Sequence, residues 1–272
     1  MSIFPYGERE TAHLTQRDPA LGEVIEQVGH IERTIEPNLV AALIRSIIAQ
    51  QISSKAAATI YRRLRDMLGD ITPEDIAAMP AETIQSCGMS MRKAGYIKGI
   101  AKAVLDGRLD VCAIAQLDDA GVITGLSRLD GVGVWTAEML LIFSLCRPNV
   151  LSWGDFAIRH GIMNLYGLEA LDKKDFASLH ARYTPYASVA SLYIWEYGTL
   201  IQNARRGQEC PHRARPACRL SGHRCRGVQL NDKTPLIICA LTGVSFAGHS
   251  KRRLAFKFIP HRMFFPYSTV WY

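Results

Sequence analysis

The sequence predicts an all-α body followed by an irregular basic tail. Three observations carry the prediction. Between residues 20 and 202, apolar residues recur at helical spacing, with capping residues and Gly/Pro punctuation between the runs. Strand-like alternation is absent from the same stretch. Near residue 206 the composition shifts abruptly to a segment rich in Arg, Cys, His and Pro.

The first strong element follows Pro37, which suits a first helical turn. Leu39, Val40, Leu43, Ile44, Ile47 and Ile48 then mark an apolar face. Ser53 or Ser54 caps a second helix over 55–68, whose other face carries Arg62, Arg63 and Arg65. Thr72-Pro73-Glu74-Asp75 reads as a cap with Pro at the first helical position. Pro80 opens a short helix that Gly88 ends. A longer helix over 90–106 bears Arg92, Lys93, Lys98 and Lys102. Residues 118–127 lead into a Gly-x-Gly turn, residues 134–146 leave it as a helix, and Pro148 stops that helix. Helices over 155–165, 173–182 and 186–204 complete the body.

A chain of 272 residues can bury one large core or two smaller ones. No stretch has the length of a membrane span, and the N-terminus lacks the regions of a signal peptide. These features predict a cytoplasmic protein. The net charge of +7 is unevenly spread. Residues 1–202 hold 19 Lys/Arg against 23 Asp/Glu, whereas residues 203–272 hold 13 against 2. The basicity therefore lives in the tail, and nucleic-acid binding by the body must rest on local features. Cys87, Cys112 and Cys146 sit singly in helical contexts and are expected to be small buried thiols.

The stretch with the most chemistry is Leu129-Asp130-Gly131-Val132-Gly133-Val134-Trp135-Thr136-Ala137-Glu138, with Asp155 twenty residues beyond Trp135. A glycine turn feeding a helix presents backbone N–H groups that bind anions, phosphates above all. Taken alone, the turn would be a structural connection and Asp155 an N-cap.

Its company changes that reading. Ala49-Gln50-Gln51-Ile52-Ser53, then Gly88-Met89-Ser90 with Arg92-Lys93-Ala94, then the 131–138 turn, then Trp153-Gly154-Asp155 form one ordered set. The set resembles the helix-hairpin-helix (HhH-GPD) DNA glycosylases, and within them the DNA-3-methyladenine glycosylase II branch. The resemblance runs from about residue 5 to residue 202. It implies a two-lobed all-α fold with the active-site cleft between the lobes, a glycosylase domain over 1–205, and a tail over 206–272 outside the family fold. It also implies a nucleoid-associated monomer that excises alkylated purines from double-stranded DNA in base excision repair.

Residue roles follow from the same resemblance. Asp155 is the catalytic carboxylate, stabilising positive charge on the sugar and orienting a water. The N–H groups of Gly131, Gly133 and Val134, assisted by Thr136, bind a DNA phosphate. Gln51 is the wedge that fills the space left by the extruded nucleotide, although nothing intrinsic separates it from Gln50. Trp135 and Trp195 wall the base pocket, with Met139 where some relatives have another aromatic. Electron-rich rings suit a cationic methylated purine. Bifunctional relatives carry a nucleophilic lysine at the position of Trp135, so water is expected to attack here and leave an abasic site without strand cleavage. Backbone carbonyls of Ser127, Leu129 and Val132 are implied ligands of a structural Na+ or K+, and no cofactor is required. Two alternatives remain open at this point: a hairpin glycosylase for oxidised or mismatched bases, and a DNA-binding hairpin module without chemistry. A carboxylate at 155 separates the last from the enzymes.

The tail departs from the family. Some relatives hold an iron–sulfur cluster through four closely spaced cysteines, but seven, six and thirteen residues separate Cys210, Cys218, Cys225 and Cys239. An iron–sulfur cluster is therefore not expected. The same cysteines with His212 and His223 lack the short knuckles of a zinc site. Arg213, Arg215, Arg219, Arg224 and Arg226 could add phosphate contacts. A shifted reading frame or read-through, giving a poorly ordered segment, also fits the abrupt change.

Overall fold

The computed structural model describes residues 2–205. The expectations for 206–272, including zinc, phosphate contacts and disorder, lie outside the described residues. Short strands β1 (Ser2–Ile3) and β2 (Thr34–Ile35) pair antiparallel, Ser2 opposite Ile35, and bracket α1 (Glu8–Arg17) and α2 (Pro19–Val28). The chain continues through α3 (Leu39–Ala49), α4 (Ser54–Leu68), α5 (Pro73–Ala78), α6 (Ala81–Ser86), α7 (Met91–Leu105), α8 (Val111–Gln116) and α9 (Asp119–Leu126). It ends with α10 (Val134–Phe143), α11 (Phe156–Tyr166), α12 (Lys173–Tyr183) and α13 (Ala187–Arg205). The two-residue strand pair is all the β-structure among the described residues.

Two groups of helices result. The first two helices pack with α11, α12 and α13, while α3 to α10 pack among themselves. The first lobe is thus built from both ends of the described chain. The connections from β2 to α3 and from α10 to α11 cross between the lobes, where Phe143 stacks on Trp195 with centroids 5.6 Å apart.

Side-chain caps start most helices. Asp18, Asn38, Ser53, Thr72, Ser90, Asp110, Asp118, Asp155 and Asp172 each accept a hydrogen bond from a first-turn N–H. Asn38, not Pro37, opens α3, and Ser53 is the residue that opens α4. α10 is shorter than its apolar run predicts. It stops at Phe143 because Arg147 N–H turns back to Leu141 O and Cys146 takes a left-handed φ of 52°, well before Pro148. Of the three body cysteines only Cys87 is buried; Cys112 is exposed and Cys146 half-buried, which corrects the expectation for those two.

The first lobe is fastened by a buried acid. Asp18 is 1 % exposed and caps α2, accepting from Leu21 N–H at 3.1 Å, Tyr166 Oη–H at 2.6 Å and Arg182 Nη1–H at 2.9 Å. Tyr166 spends its proton on Asp18, so Tyr183, whose hydroxyl oxygen lies 2.6 Å from it, is the donor between the two phenols. Burial, reinforced by Tyr183 and Asp18, pushes the Tyr166 phenol far above its ordinary value.

Gly161 lets α11 meet α13 closely. A Cβ there would fall 2.8 Å from the Ile194 carbonyl oxygen, a backbone atom that cannot swing away. Gly161→Ala is therefore expected to cost about 1–3 kcal/mol by overpacking. Thermal unfolding should show it as a fall of roughly 2–4 °C per kcal/mol. An unchanged melting temperature would mean that the two helices part without cost.

Candidate active site

The site forms where the starts of α10 and α11 meet the middle of α13. Asp155 sits in the N-cap position of α11 and is 3 % exposed. Its Oδ1 accepts from Ile158 N–H at 2.8 Å and from Trp195 Nε1–H at 3.2 Å. Its Oδ2 accepts from Trp135 Nε1–H at 2.8 Å. Three donors and no acceptor face this group, which is the pattern that satisfies an ionised carboxylate. Trp135 comes from α10 and Trp195 from α13, so the carboxylate is held from both lobes.

The turn before α10 has the geometry of an anion site. Gly131 has φ +83°, and a Cβ there would lie 2.4 Å from the Tyr96 ring, so only glycine fits. Gly133 is the N-cap of α10 and supplies no side-chain acceptor, unlike the capped helices above. The first-turn N–H groups are therefore left to an outside acceptor, at the positive end of the helix dipole. Val134, at 56 % exposed, and Phe156, at 53 %, begin α10 and α11. They are the most exposed large apolar residues among those described, and both flank the site.

The remaining residues are distributed unevenly. Trp135 is half-buried, while Trp195 is 8 % exposed with its ring on Phe143. Met139 is 1 % exposed and packed in the core. Thr136, in the first turn of α10, is 5 % exposed. The Leu129 carbonyl accepts from Val132 N–H at 3.1 Å, and the nearby Ser127 Oγ is buried without a partner.

The structure separates Gln50 from Gln51. Gln50 Nε2–H donates to the Gly131 carbonyl at 2.8 Å, so its side chain is committed to the hairpin. Gln51 is exposed, with φ +60°. Lys93 donates from Nζ to the Ile48 carbonyl at 2.8 Å and the Gln50 carbonyl at 2.5 Å, and burial lowers its pKa. A lysine on an apolar stripe was the sequence signal: Lys93 shares the helical face of Ile97, Ile100 and Ala101, all buried.

Glu138 was also missed. It is the one charged residue in α10, and its Oε2 accepts from Ser152 Oγ–H. Burial first, and the nearby Asp155 second, raise its pKa, while the Ser152 bond opposes them. A carboxyl whose folded pKa is raised binds more protons in the folded state, so its contribution falls as pH rises from the unfolded value through the folded one. Glu138→Gln keeps the acceptor for Ser152 and removes the titration. The variant should gain stability relative to the parent as pH rises from 4 to 8, read as the difference in melting temperature. A difference independent of pH would show that Glu138 does not titrate in that range.

Comparison with known proteins supplies the family. Residues 44–183 match the model of the HhH-GPD superfamily base excision DNA repair protein. DNA-3-methyladenine glycosylase 1 of Schizosaccharomyces pombe is 36 % identical over 163 residues, which are 58 % of this chain and 72 % of that protein. A crystal structure of a DNA-3-methyladenine glycosidase from Bacillus halodurans superposes with a TM-score of 0.65 at 35 % identity, over 74 % of this chain and 95 % of that one. The S. pombe 3-methyladenine DNA glycosylase, solved in complex with abasic DNA, gives 0.62 at 33 % identity, over 69 % and 95 %. The match spans the hairpin, Asp155, nearly all of the second lobe and α11 and α12 of the first, and the chain belongs to the HhH-GPD superfamily of base excision DNA repair proteins.

Proposed function

We propose that the protein is a monofunctional DNA-3-methyladenine glycosylase of the type II branch, which hydrolyses the N-glycosidic bond of alkylated purines in duplex DNA and leaves an abasic site. The observation that carries the reading is the Asp155 carboxylate, buried and fixed by two indole N–H groups and one backbone N–H. Relatives named for 3-methyladenine excision, one of them bound to abasic DNA, support the same substrate class.

Extruding a nucleotide costs a few kcal/mol, which contacts to the backbone and the vacated gap offset. The first turn of α10 takes a phosphate, and the exposed Gln51 fills the gap. The extruded base stacks on the half-buried ring of Trp135, whose orientation the Asp155 bond sets. A methylated purine carries positive charge, so the ring attracts it, and the base leaves without a strong general acid. As the bond lengthens, positive charge grows on the sugar beside a carboxylate in a water-poor site, where the attraction is strongest. The same carboxylate orients the attacking water. Carbonyl oxygens of Ser127, Leu129 and Val132 are hard, neutral donors of the kind that hold Na+ or K+, and the orphaned Ser127 Oγ at the same turn fits such a group. A cation there would add positive potential beside the phosphate.

Asp155→Asn should reduce release of 3-methyladenine from methylated duplex DNA roughly 100- to 1,000-fold, while binding to abasic DNA persists. Chromatography of the free base reads the loss. Release at the parental rate would remove Asp155 from the mechanism. Borohydride should trap no enzyme–DNA adduct, since residue 135 offers no amine; a trapped adduct would overturn the monofunctional assignment.

A further inference from the structure

We infer that Gln50 and Lys93 are positioning residues that hold the wedge residue Gln51 in register with the phosphate-binding hairpin. The inference rests on the proposed glycosylase reading for its substrate, and on the following geometry for its content. Gln51 has φ +60°, a conformation that residues other than glycine adopt rarely and at a cost. Such a residue persists when its surroundings over-determine it, and such sites cluster where function needs a fixed geometry.

The surroundings are specific. Helix α3 ends at Ala49 with Gln50 in its C-cap position, and no residue there supplies the glycine that usually absorbs a left-handed turn. Lys93 reaches from α7 and donates to the Ile48 and Gln50 carbonyls, which fixes the peptide entering Gln51. The Gln50 side chain then crosses to the hairpin and donates to the Gly131 carbonyl. Gly131 is itself pinned, by its positive φ and by the Tyr96 ring of α7. Three distant segments are thereby joined: α7 holds the end of α3 through Lys93, the hairpin through Tyr96, and Gln50 closes the triangle. A phosphate on the hairpin and a side chain in the duplex gap must be a fixed distance apart on the DNA. The triangle sets that distance on the protein before DNA arrives, which removes an ordering cost from binding.

The arrangement makes Gln50 act through Gln51, and a double-mutant cycle isolates such coupling. Gln50→Leu removes one neutral hydrogen bond and retains the volume. In the full chain it should slow single-turnover excision of 3-methyladenine from duplex DNA about five- to tenfold. In a Gln51→Ala background the same change should cost less than about twofold. Lys93→Met should behave like Gln50→Leu in both backgrounds. Full, additive losses in the double variants would overturn the inference, because a structural defect does not depend on the wedge. A second measurement needs no chemistry: duplex DNA with a tetrahydrofuran abasic analogue beside 2-aminopurine. The parent protein should raise its fluorescence by unstacking the neighbour, Gln51→Ala should abolish the rise, and Gln50→Leu should reduce it several-fold without lowering the melting temperature. A parent protein that unstacks the probe but releases no base would refute the glycosylase reading and leave this one standing. One that binds without unstacking, or a Gln50→Leu variant that unstacks fully, would refute this one.

Discussion

The structure depends on how Asp155 is kept buried without a counter-charge. Two aspartates in the described chain are almost fully buried, Asp18 and Asp155, and both cap helices. Asp18 pairs with Arg182 and accepts from a phenol, so its charge is neutralised locally. Asp155 takes part in none of the described ion pairs; its partners are two indoles and a backbone amide. An isolated buried carboxylate is expensive, and neutral donors lower the cost without cancelling the charge. Asp18 is thus a fastener, whereas the Asp155 carboxylate is met by neutral donors alone. That is the electrostatic condition for stabilising a cation that exists only in the transition state.

Keeping such a group requires donors from separate parts of the chain. The α10 helix brings Trp135, α13 brings Trp195, and α11 contributes its own first turn. The two lobes are therefore not simply walls around a cleft. Their relative placement is what completes the donor set, and the Phe143–Trp195 stack beside it fixes the ring that delivers one of the donors. The body carries more acidic than basic residues, so in the proposed reading its approach to DNA relies on the uncapped start of α10 and on local cations of α4 and α7, not on bulk charge.

What the sequence disclosed, and what it withheld, divides along physical lines. Caps are local, so Thr72 and Asp155 could be placed from neighbouring residues and the cap of α4 narrowed to Ser53 or Ser54, and the hairpin glycines from the turn they make. Burial by itself cannot be told from helix, and α10 was read too long because Leu145 and Cys146 stay partly buried after the helix has ended. A helix apolar on every side has no face to read, which is why the burial of Thr136 and Met139 was not visible. The side-chain contact that distinguishes Gln50 from Gln51 is with Gly131, 81 residues away, and no local pattern encodes it. The lysine on an apolar stripe and the lone acid in α10 were legible anomalies whose partners were not.

Residue 135 joins these strands. An indole there donates one neutral N–H to Asp155, orients its own ring and leaves the carboxylate charged. A lysine at the same place would bring an ammonium toward the same oxygen. It would gain a nucleophile and pair away part of the negative charge that hydrolysis uses. For the proposed reaction the two effects are inseparable, because one bond decides both. A cationic base that leaves readily needs little help departing but does need its sugar stabilised while water arrives. In the proposed mechanism Trp135 meets that need by offering the base a ring face and Asp155 an N–H, with no charge of its own to set against either.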